Sequence, residues 1–512
     1  MTKWVLLALC IYMGVMLFIG IMSAKKNKNA DDYFLGGRNL GGWVAALSAQ
    51  ASDMSGWLLM GLPGSIYALG TNQAWIAIGL FIGTVLNWIF ISGRLRRYTI
   101  KAGNSMTIPE YLSNRFRDEK KILMAISAIV MVVFFLVYTA SSFAAGAKLF
   151  VSITDMDYHV ALLVGAGVIL IYTLFGGFLA VCQTDFIQGL MMLIAILAVP
   201  IVAVAVMGTG NIIPNIVDSG LAVDSNVYLD IFKNSQGNPI SFVEIISQLA
   251  WGLGYCGMPH ILVRFMAIKD EKELGKSKKI AIVWVFLSLA VACIIGVVGR
   301  AYLVNTELAD SENVFIEMIK KIFMDDVHIP FIGGLFLCGI LAAIMSTADS
   351  QLLISSSSVA KDLFSGVLFK KMDSKRIMLV SRCTVAAVAI VAFVIAWNPN
   401  SSVMGLVSNA WAGLGAAFGP TILMSLYWKR TNMAGAAAGM ISGGLTVILW
   451  DNIKFIAGEG GIKQSIGEYT GVYSLLVGFF VSLLLIVLVS LMTKKVSDEI
   501  IKEFEDVKEG NI

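Results

Sequence analysis

Charge is what this chain has least of. Only 14% of its 512 residues are Asp, Glu, Lys or Arg, against roughly 25% in soluble globular domains. With a mean hydropathy of +0.80, that shortage excludes a water-soluble globular class. The three histidines, His159, His260 and His328, form no metal-like spacing, which argues against a metal centre. The six cysteines, Cys10, Cys182, Cys256, Cys293, Cys338 and Cys383, fall within or near apolar runs with no paired spacing. They read as small buried hydrophobes and exclude a disulfide framework. Alternating ten-residue segments are absent, which excludes a transmembrane barrel. No nucleophile/base pair lies in the apolar runs, so an enzyme is not expected. A net charge of +4 is accounted for by membrane topology and gives no reason to expect a nucleic acid partner.

What the chain does have is apolar runs of roughly 20 residues, the length that crosses a ~30 Å hydrocarbon layer as helix. Thirteen candidate spans cover approximately 4–23, 42–70, 73–93, 122–150, 158–177, 185–207, 239–267, 280–303, 329–358, 377–397, 402–428, 433–452 and 470–493. The first is too long for a signal peptide, lacks a small-residue cleavage site, and has its positive charges behind it. It reads as a retained span.

Alternate loops carry most of the basic residues: Lys25, Lys26, Lys28 and Arg38; Arg94, Arg96, Arg97, Lys101, Arg115, Arg117, Lys120 and Lys121; Lys269 to Lys279; Lys361 to Arg376; Lys429 and Arg430; and the tail. The opposite loops hold Asp155, Asp157, Asp218, Asp224, Asp230, Glu307, Asp310, Glu312, Asp325 and Asp326. One miscounted span would invert every later loop and destroy that alternation. Basic loops mark the cytoplasm, so the amino end is expected outside and the carboxyl end inside. Segment 308–324 is too short and charged to span and reads as an interfacial helix. The acidic tail "SDEIIKEFEDVKEG" has a helical amphipathic pattern and reads as cytoplasmic, with no appended catalytic or signalling domain expected.

Two spans are broken. The second holds "SAQASDMSGWLLMGLPG", residues 48–64, which sets Asp53 near mid-bilayer among hydroxyls, glycines and Pro63. A carboxylate at that depth must face protein, water or a cation. The seventh holds "WGLGYCGMPH", residues 251–260, again interrupted at mid-depth by Gly252, Gly254, Gly257 and Pro259. Paired breaks in corresponding halves point to a transporter binding site. Spans two and seven lie five apart and cross in opposite directions, so spans 2–6 and 7–11 are candidate inverted repeats. In the ninth, "CGILAAIMSTADSQLLISSSS" puts Ser346 and Thr347 mid-helix with Ala343 one turn earlier. Carbonyls of an unwound stretch plus two hydroxyls make a hard oxygen site suited to a small monovalent cation.

Each residue has a plainer reading. Asp53 could cap the broken helix, Ser346 and Thr347 could bond back to their own helix, and the aromatics Trp57, Trp251 and Tyr255 could only pack. Asp185 could be an interfacial charge, and Asp349 could be structural.

"DDYFLGGRNLGG", "SAQASDMSGWLLMGLPG", "GGFLAVCQTDFIQ", "WGLGYCGMPHILVRFMA" and "AAIMSTADSQLL" together resemble the sodium:solute symporter family, and within it the bacterial proline branch. The resemblance runs from residue 31 to about 353. It implies an all-α polytopic fold with a LeuT-type 5+5 inverted-repeat core, one extra amino-terminal helix and two extra carboxyl-terminal helices. The chain would then divide into a first span and loop (1–41), repeat one (42–207), repeat two (208–428), spans twelve and thirteen (429–493) and a cytoplasmic tail (494–512).

The resemblance also implies sodium-coupled symport of L-proline across a bacterial plasma membrane, with no cofactor beyond the coupling ion. Carried over by motif, the sodium ligands are the carbonyls of Ala51, Met54 and Ala343 and the hydroxyls of Ser346 and Thr347. Asp53, Asp185 and Arg38 are sodium-linked. Ser55, Gly56, Trp57, Gly61, Trp251, Tyr255 and Pro259 belong to the substrate pocket. One local departure is Ala348–Asp349, where the family often has neutral residues. Another member of the family, carrying pantothenate, a sugar or a carboxylate, is the alternative. A channel or sensor is disfavoured by the lack of a filter, charge ring or output domain.

Overall fold

The computed structural model describes residues 2–24, 35–175, 177–220, 225–304, 306, 308–369, 372–454, 456–457 and 463–510. Lys25, Lys26, Lys28, residues 31–34 of the first motif, Asp224, Glu307, Lys370 and Lys371 lie outside the described residues. The longer helices are α1 (Thr2–Ala24), α2 (Gly42–Asp53), α3 (Leu62–Leu69), α4 (Ala74–Leu86), α5 (Ser92–Lys101), α6 (Ile108–Arg115), α7 (Ile122–Thr154), α8 (Tyr158–Phe175) and α9 (Phe178–Met207). They continue with α10 (Phe242–Leu249), α11 (Pro259–Ala267), α12 (Glu271–Tyr302), α13 (Pro330–Ser357), α14 (Ser374–Ile395), α15 (Val403–Tyr427), α16 (Met433–Asn452), α17 (Ser474–Met492) and α18 (Asp498–Glu509). The named strands form one short antiparallel pair, Ile456 opposite Gln464 and Ala457 opposite Lys463.

Among the described residues, nine helical stretches are long and apolar enough to cross a membrane. The chain is an all-helical, multi-pass membrane protein. Burial sorts these helices into lining and centre. The stretch containing α13 is 78% buried, whereas those of α1, α9, α14 and α17 are 33% buried and turn their other faces outward. Helix α13 packs against α1, α2, α7, α9 and α14, so the mid-helix hydroxyls of Ser346 and Thr347 sit at the centre of the bundle.

Segment 308–324 departs from the interfacial expectation. It forms a short helix, Val314–Lys320, followed by a wider turn over Lys321–Asp326. Val314, Phe315, Ile316, Met318 and Ile319 are fully buried, packed on α3, α12 and α13. The apolar spacing that suggested a membrane surface instead faces protein.

The tail helix α18 also docks. Its apolar face (Ile500, Phe504, Val507) is buried, with the guanidinium groups of Arg94 and Arg115 over the Phe504 ring. Arg117 pairs with Glu499 and Glu503, and Lys101 with Asp506. The acidic tail and the most basic loop thus share one end of the bundle.

Candidate functional site

The first break follows from what a helix end leaves unsatisfied. The last four carbonyls of a helix have no partner four residues on. Helix α2 stops at Asp53, and Met54 leaves helical geometry (φ −87°, ψ 81°). The Gln50 carbonyl is still met by the Met54 N–H at 2.9 Å. The Ser55 N–H, which would meet Ala51, turns to the Asp53 carbonyl at 3.1 Å. The Ala51 carbonyl is thereby released, and two hydroxyls from α13 donate to it: Ser346 Oγ at 2.7 Å and Thr347 Oγ1 at 3.3 Å. Ser346 also donates to the Ala343 carbonyl at 3.2 Å. Four of the five expected sodium ligands therefore converge, all fully buried, and the Met54 carbonyl belongs to the same unwound turn.

The break is upstream of Pro63. That proline sits at the start of α3, where a missing N–H costs little, after a wide turn over Trp57–Gly61.

The second break runs from α10 through a 3-10 stretch, Ala250–Gly257, to an extended Met258 (φ −87°, ψ 103°). Pro259 opens α11. The 3-10 stretch lies directly on α4: a Cβ on Gly252 would collide with the Gly79 carbonyl, so close backbone approach explains that glycine.

Asp53 joins the two breaks. Its Oδ2 accepts from the Tyr255 hydroxyl at 2.7 Å. The Asp53 carbonyl accepts from Trp57 Nε1 at 3.0 Å and from the Tyr138 hydroxyl at 3.4 Å. Asp53 is fully buried, and its Oδ1 has no protein partner among the described residues. A buried carboxylate oxygen left unpaired is costly, so this atom is available to a ligand. Ser55 Oγ accepts from the Trp57 N–H at 3.5 Å. Gly56 faces Ala145, and Gly61 faces Met404.

Trp251 stands further out, stacked on Tyr473 with centroids 5.0 Å apart. Its carbonyl accepts from Trp411 Nε1 at 2.8 Å, and the Trp411 ring meets Tyr255 edge-on at 5.1 Å.

Asp185 and Arg38, grouped above as sodium-linked, occupy different places. Asp185 Oδ2 accepts from Ser48 Oγ (2.7 Å), Ser52 Oγ (3.0 Å) and Arg264 Nη2 (3.1 Å). Arg264 Nη2 also donates to Ser350 Oγ at 2.7 Å, and Ser350 donates to Asp349 at 3.4 Å. This fully buried network lies one turn along α13 from Thr347. A buried ion pair stabilises only when its remaining hydrogen bonds are filled, and the serines fill several of them.

Arg38 instead ties loops together. It donates to the carbonyls of Met266 and Ser105 at 2.6 Å each, to Asn104 Oδ1 at 2.9 Å and to Thr99 Oγ1 at 3.3 Å. Burial, with Arg96 nearby, pushes its guanidinium down to about 10, so it remains charged at neutral pH.

Several groups escaped the sequence reading. Arg264 lies within the quoted stretch "WGLGYCGMPHILVRFMA" but carried no role there; an arginine inside an apolar span was the available signal. Glu312 was counted only as a loop charge. In the structure its carboxylate accepts from Lys148 (2.5 Å), Ser402 Oγ (2.8 Å) and the N–H groups of Val403 and Met404 (2.9 Å each). It caps α15 while neutralising a buried lysine, and the segment that holds it rests on α3.

The arrangement offers oxygen ligands, a carboxylate, aromatic walls and two sets of freed backbone groups, which suits binding and release of small ions and solutes. The model of the sodium:solute symporter family matches residues 33–443. The chain is 45% identical over 497 residues to the high-affinity proline transporter PutP of Bacillus subtilis, covering 96% of this chain and 99% of that one. It is 43% identical over 494 residues to a sodium/proline symporter of Staphylococcus aureus, covering 95% and 92%.

Among solved structures, a Na+-coupled sialic acid symporter in a substrate-bound outward-open state superposes with a TM-score of 0.75 at 18% identity, covering 96% of this chain and 99% of that one. A nucleobase-cation-symport-1 family transporter superposes with a TM-score of 0.53 at 13% identity, covering 93% and 99%. Those two likenesses speak for the fold. From the family model and the relatives together, the chain belongs to the sodium:solute symporter family.

Proposed function

We propose that this chain is a sodium-coupled symporter that carries L-proline into the cell by alternating access. One observation carries the reading: the two helix breaks and α13 meet, through Tyr255 on Asp53 and through Ser346 and Thr347 on the Ala51 carbonyl. The relatives' sodium and proline supply the solute identities. The sodium ligands are the carbonyls of Ala51, Met54 and Ala343 and the hydroxyls of Ser346 and Thr347, because hard cations take oxygen. Bound sodium bridges α2 and α13 and holds the unwound turn in shape. Asp53 organises that turn, and the Asp185–Arg264 network braces it from the basic end, with Arg38 fixing the loops nearby.

Proline binds between the breaks. Freed amides and carbonyls near Ser55 and Gly56 meet its carboxylate and ammonium. Trp57, Gly61, Trp251, Tyr255 and Pro259 border its ring. Transport needs no covalent step.

Thirteen spans fit the helices: α1; the broken pairs α2–α3 and α10–α11; α4 with α5; α7, α8, α9; and α12 to α17. Residues 42–207 and 208–428 form the inverted repeats. The Lys/Arg alternation supports an outside amino end and a cytoplasmic carboxyl end in a bacterial plasma membrane. A competition panel of amino acids and sugars against labelled proline, in liposomes with a sodium gradient, tests the substrate. Proline should compete best; a sugar or carboxylate that displaces it at lower concentration overturns the assignment.

A further inference from the structure

An apolar groove of about 580 Å³ runs between α7 and α14. Val132 and Leu136 form one wall, and Leu379, Val380, Ala387 and Val391 form the other. Val359 and Phe364 complete it, from the wide turn Ser358–Leu368 that continues α13. The one hydroxyl on the walls, that of Thr384, is turned back to the Val380 carbonyl at 2.9 Å. The groove therefore offers water no polar partner and suits an apolar occupant. Both walls belong to helices long and apolar enough to cross a membrane, so that occupant comes from the bilayer. Leu379 to Val391 spans about 18 Å at helical rise, slightly more than one leaflet of a ~30 Å hydrocarbon core. A phospholipid acyl chain fits that length and that chemistry.

The amino end of α14 selects the headgroup. Arg376 lies three, four, seven and eleven residues before Leu379, Val380, Cys383 and Ala387, so it heads the stripe that lines the groove. Its side chain is 78% exposed, and its one ion pair is a loose contact with Asp373 at 3.9 Å. Arg382, on the flank of that stripe, is exposed and has no hydrogen bond or ion pair among the described residues. It stands about 12 Å along α14 from Ser374, a depth at which an unpaired charge is costly. Helical side chains lean toward the amino end, here toward the headgroups, and a long arginine reaches them by snorkelling. Two exposed guanidinium groups at headgroup level, above an apolar groove, are the complement of a phosphate on a lipid chain.

We propose that this groove is a binding site for an anionic phospholipid, with the phosphate on Arg376 and Arg382 and one acyl chain between α7 and α14. The chain then rests on Val359 and Phe364. The same turn carries Lys361, paired with Glu110 at 2.8 Å, and Asp362, which accepts from Thr107 Oγ1 at 2.8 Å. The lipid thereby backs the turn that ties the end of α13 to the start of α6. This goes beyond the transport reading above and does not depend on which solute is carried.

The test uses the full-length chain in detergent, offered equal amounts of phosphatidylglycerol and phosphatidylcholine with identical acyl chains. Native mass spectrometry counts the lipid molecules that stay bound. Phosphatidylglycerol should be retained in preference to phosphatidylcholine. Arg376→Ala with Arg382→Ala should raise the concentration for half occupancy roughly tenfold or more. Ala387→Trp fills the groove and leaves every charge in place, and it should lower retention as well; Val391→Trp serves as a second filling variant. All four positions are exposed, and monodisperse elution on gel filtration confirms that each variant is folded. Equal retention of the two lipids, or unchanged half occupancy in the arginine variant, overturns the site. Loss in the arginine variant with full retention in both filling variants shows headgroups gathering on the arginines without the groove, and also overturns it.

Discussion

Tyr255→Phe removes one oxygen from the centre of the protein and isolates the bond between the two breaks. The ring stays, with its edge-on contact to Trp411 at 5.1 Å, so packing is conserved. What goes is the donor to Asp53 Oδ2 at 2.7 Å. Asp53 is fully buried and its Oδ1 already has no protein partner, so the variant leaves both carboxylate oxygens unpaired. A hydrogen bond to a charged group is worth about 1.5–3 kcal/mol net, or roughly 10- to 150-fold in an equilibrium constant.

Asp53 lies between Ala51 and Met54, so its loss of anchorage should loosen the carbonyls proposed to hold sodium. Half-maximal proline uptake in proteoliposomes should then need at least roughly tenfold more sodium, with normal membrane insertion. Adding Asp53→Asn to Tyr255→Phe should cost much less than the two singles combined, because groups in direct contact are not additive. A sodium curve unchanged within about twofold, or strictly additive effects, would refute the claim that this bond couples the breaks.

Ser346→Ala with Thr347→Ala removes two proposed sodium ligands and their bonds to Ala51. The sodium needed for half-maximal uptake should rise, and an unchanged curve returns both hydroxyls to a structural role. Glu312→Ala strips four bonds from Lys148, Ser402 and the start of α15, weakening closure of that end by about 2–4 kcal/mol. A cysteine at Ser65, in the adjoining cavity, should then label faster with an impermeant reagent; equal rates would show that Glu312 does not hold that end shut. Gly254→Ala drives a methyl group into the Trp411 ring, an overpacking cost of about 1–3 kcal/mol. Thermal unfolding in detergent should fall by several degrees, and an unchanged midpoint would mean that the 3-10 stretch yields freely.

Features governed by one residue's own chemistry were legible in the sequence. Asp53 at mid-depth demanded a partner, the Gly- and Pro-rich stretches announced both breaks, and Ser346 with Thr347 marked the helix that faces the first break. Features governed by what lies across the bundle were not. Nothing near residue 312 says that its carboxylate caps a helix starting at Val403, since that pairing exists only once segment 308–324 folds inward. The same spacing fits burial against lipid or against α12 and α13, and packing decides. Arg264 and Asp185 are 79 residues apart, and no periodicity links them. Pro63 drew attention as a breaker, yet the helix ends at Asp53, where turning the Ser55 N–H away frees the Ala51 carbonyl.

Purified chain reconstituted in liposomes, given labelled proline and an inward sodium gradient, tests the central claim most directly. Sodium should drive accumulation above the external concentration, and an equal potassium gradient should not. Equal accumulation with potassium, or proline that only equilibrates under a sodium gradient, would contradict the coupling of sodium to proline at these two breaks.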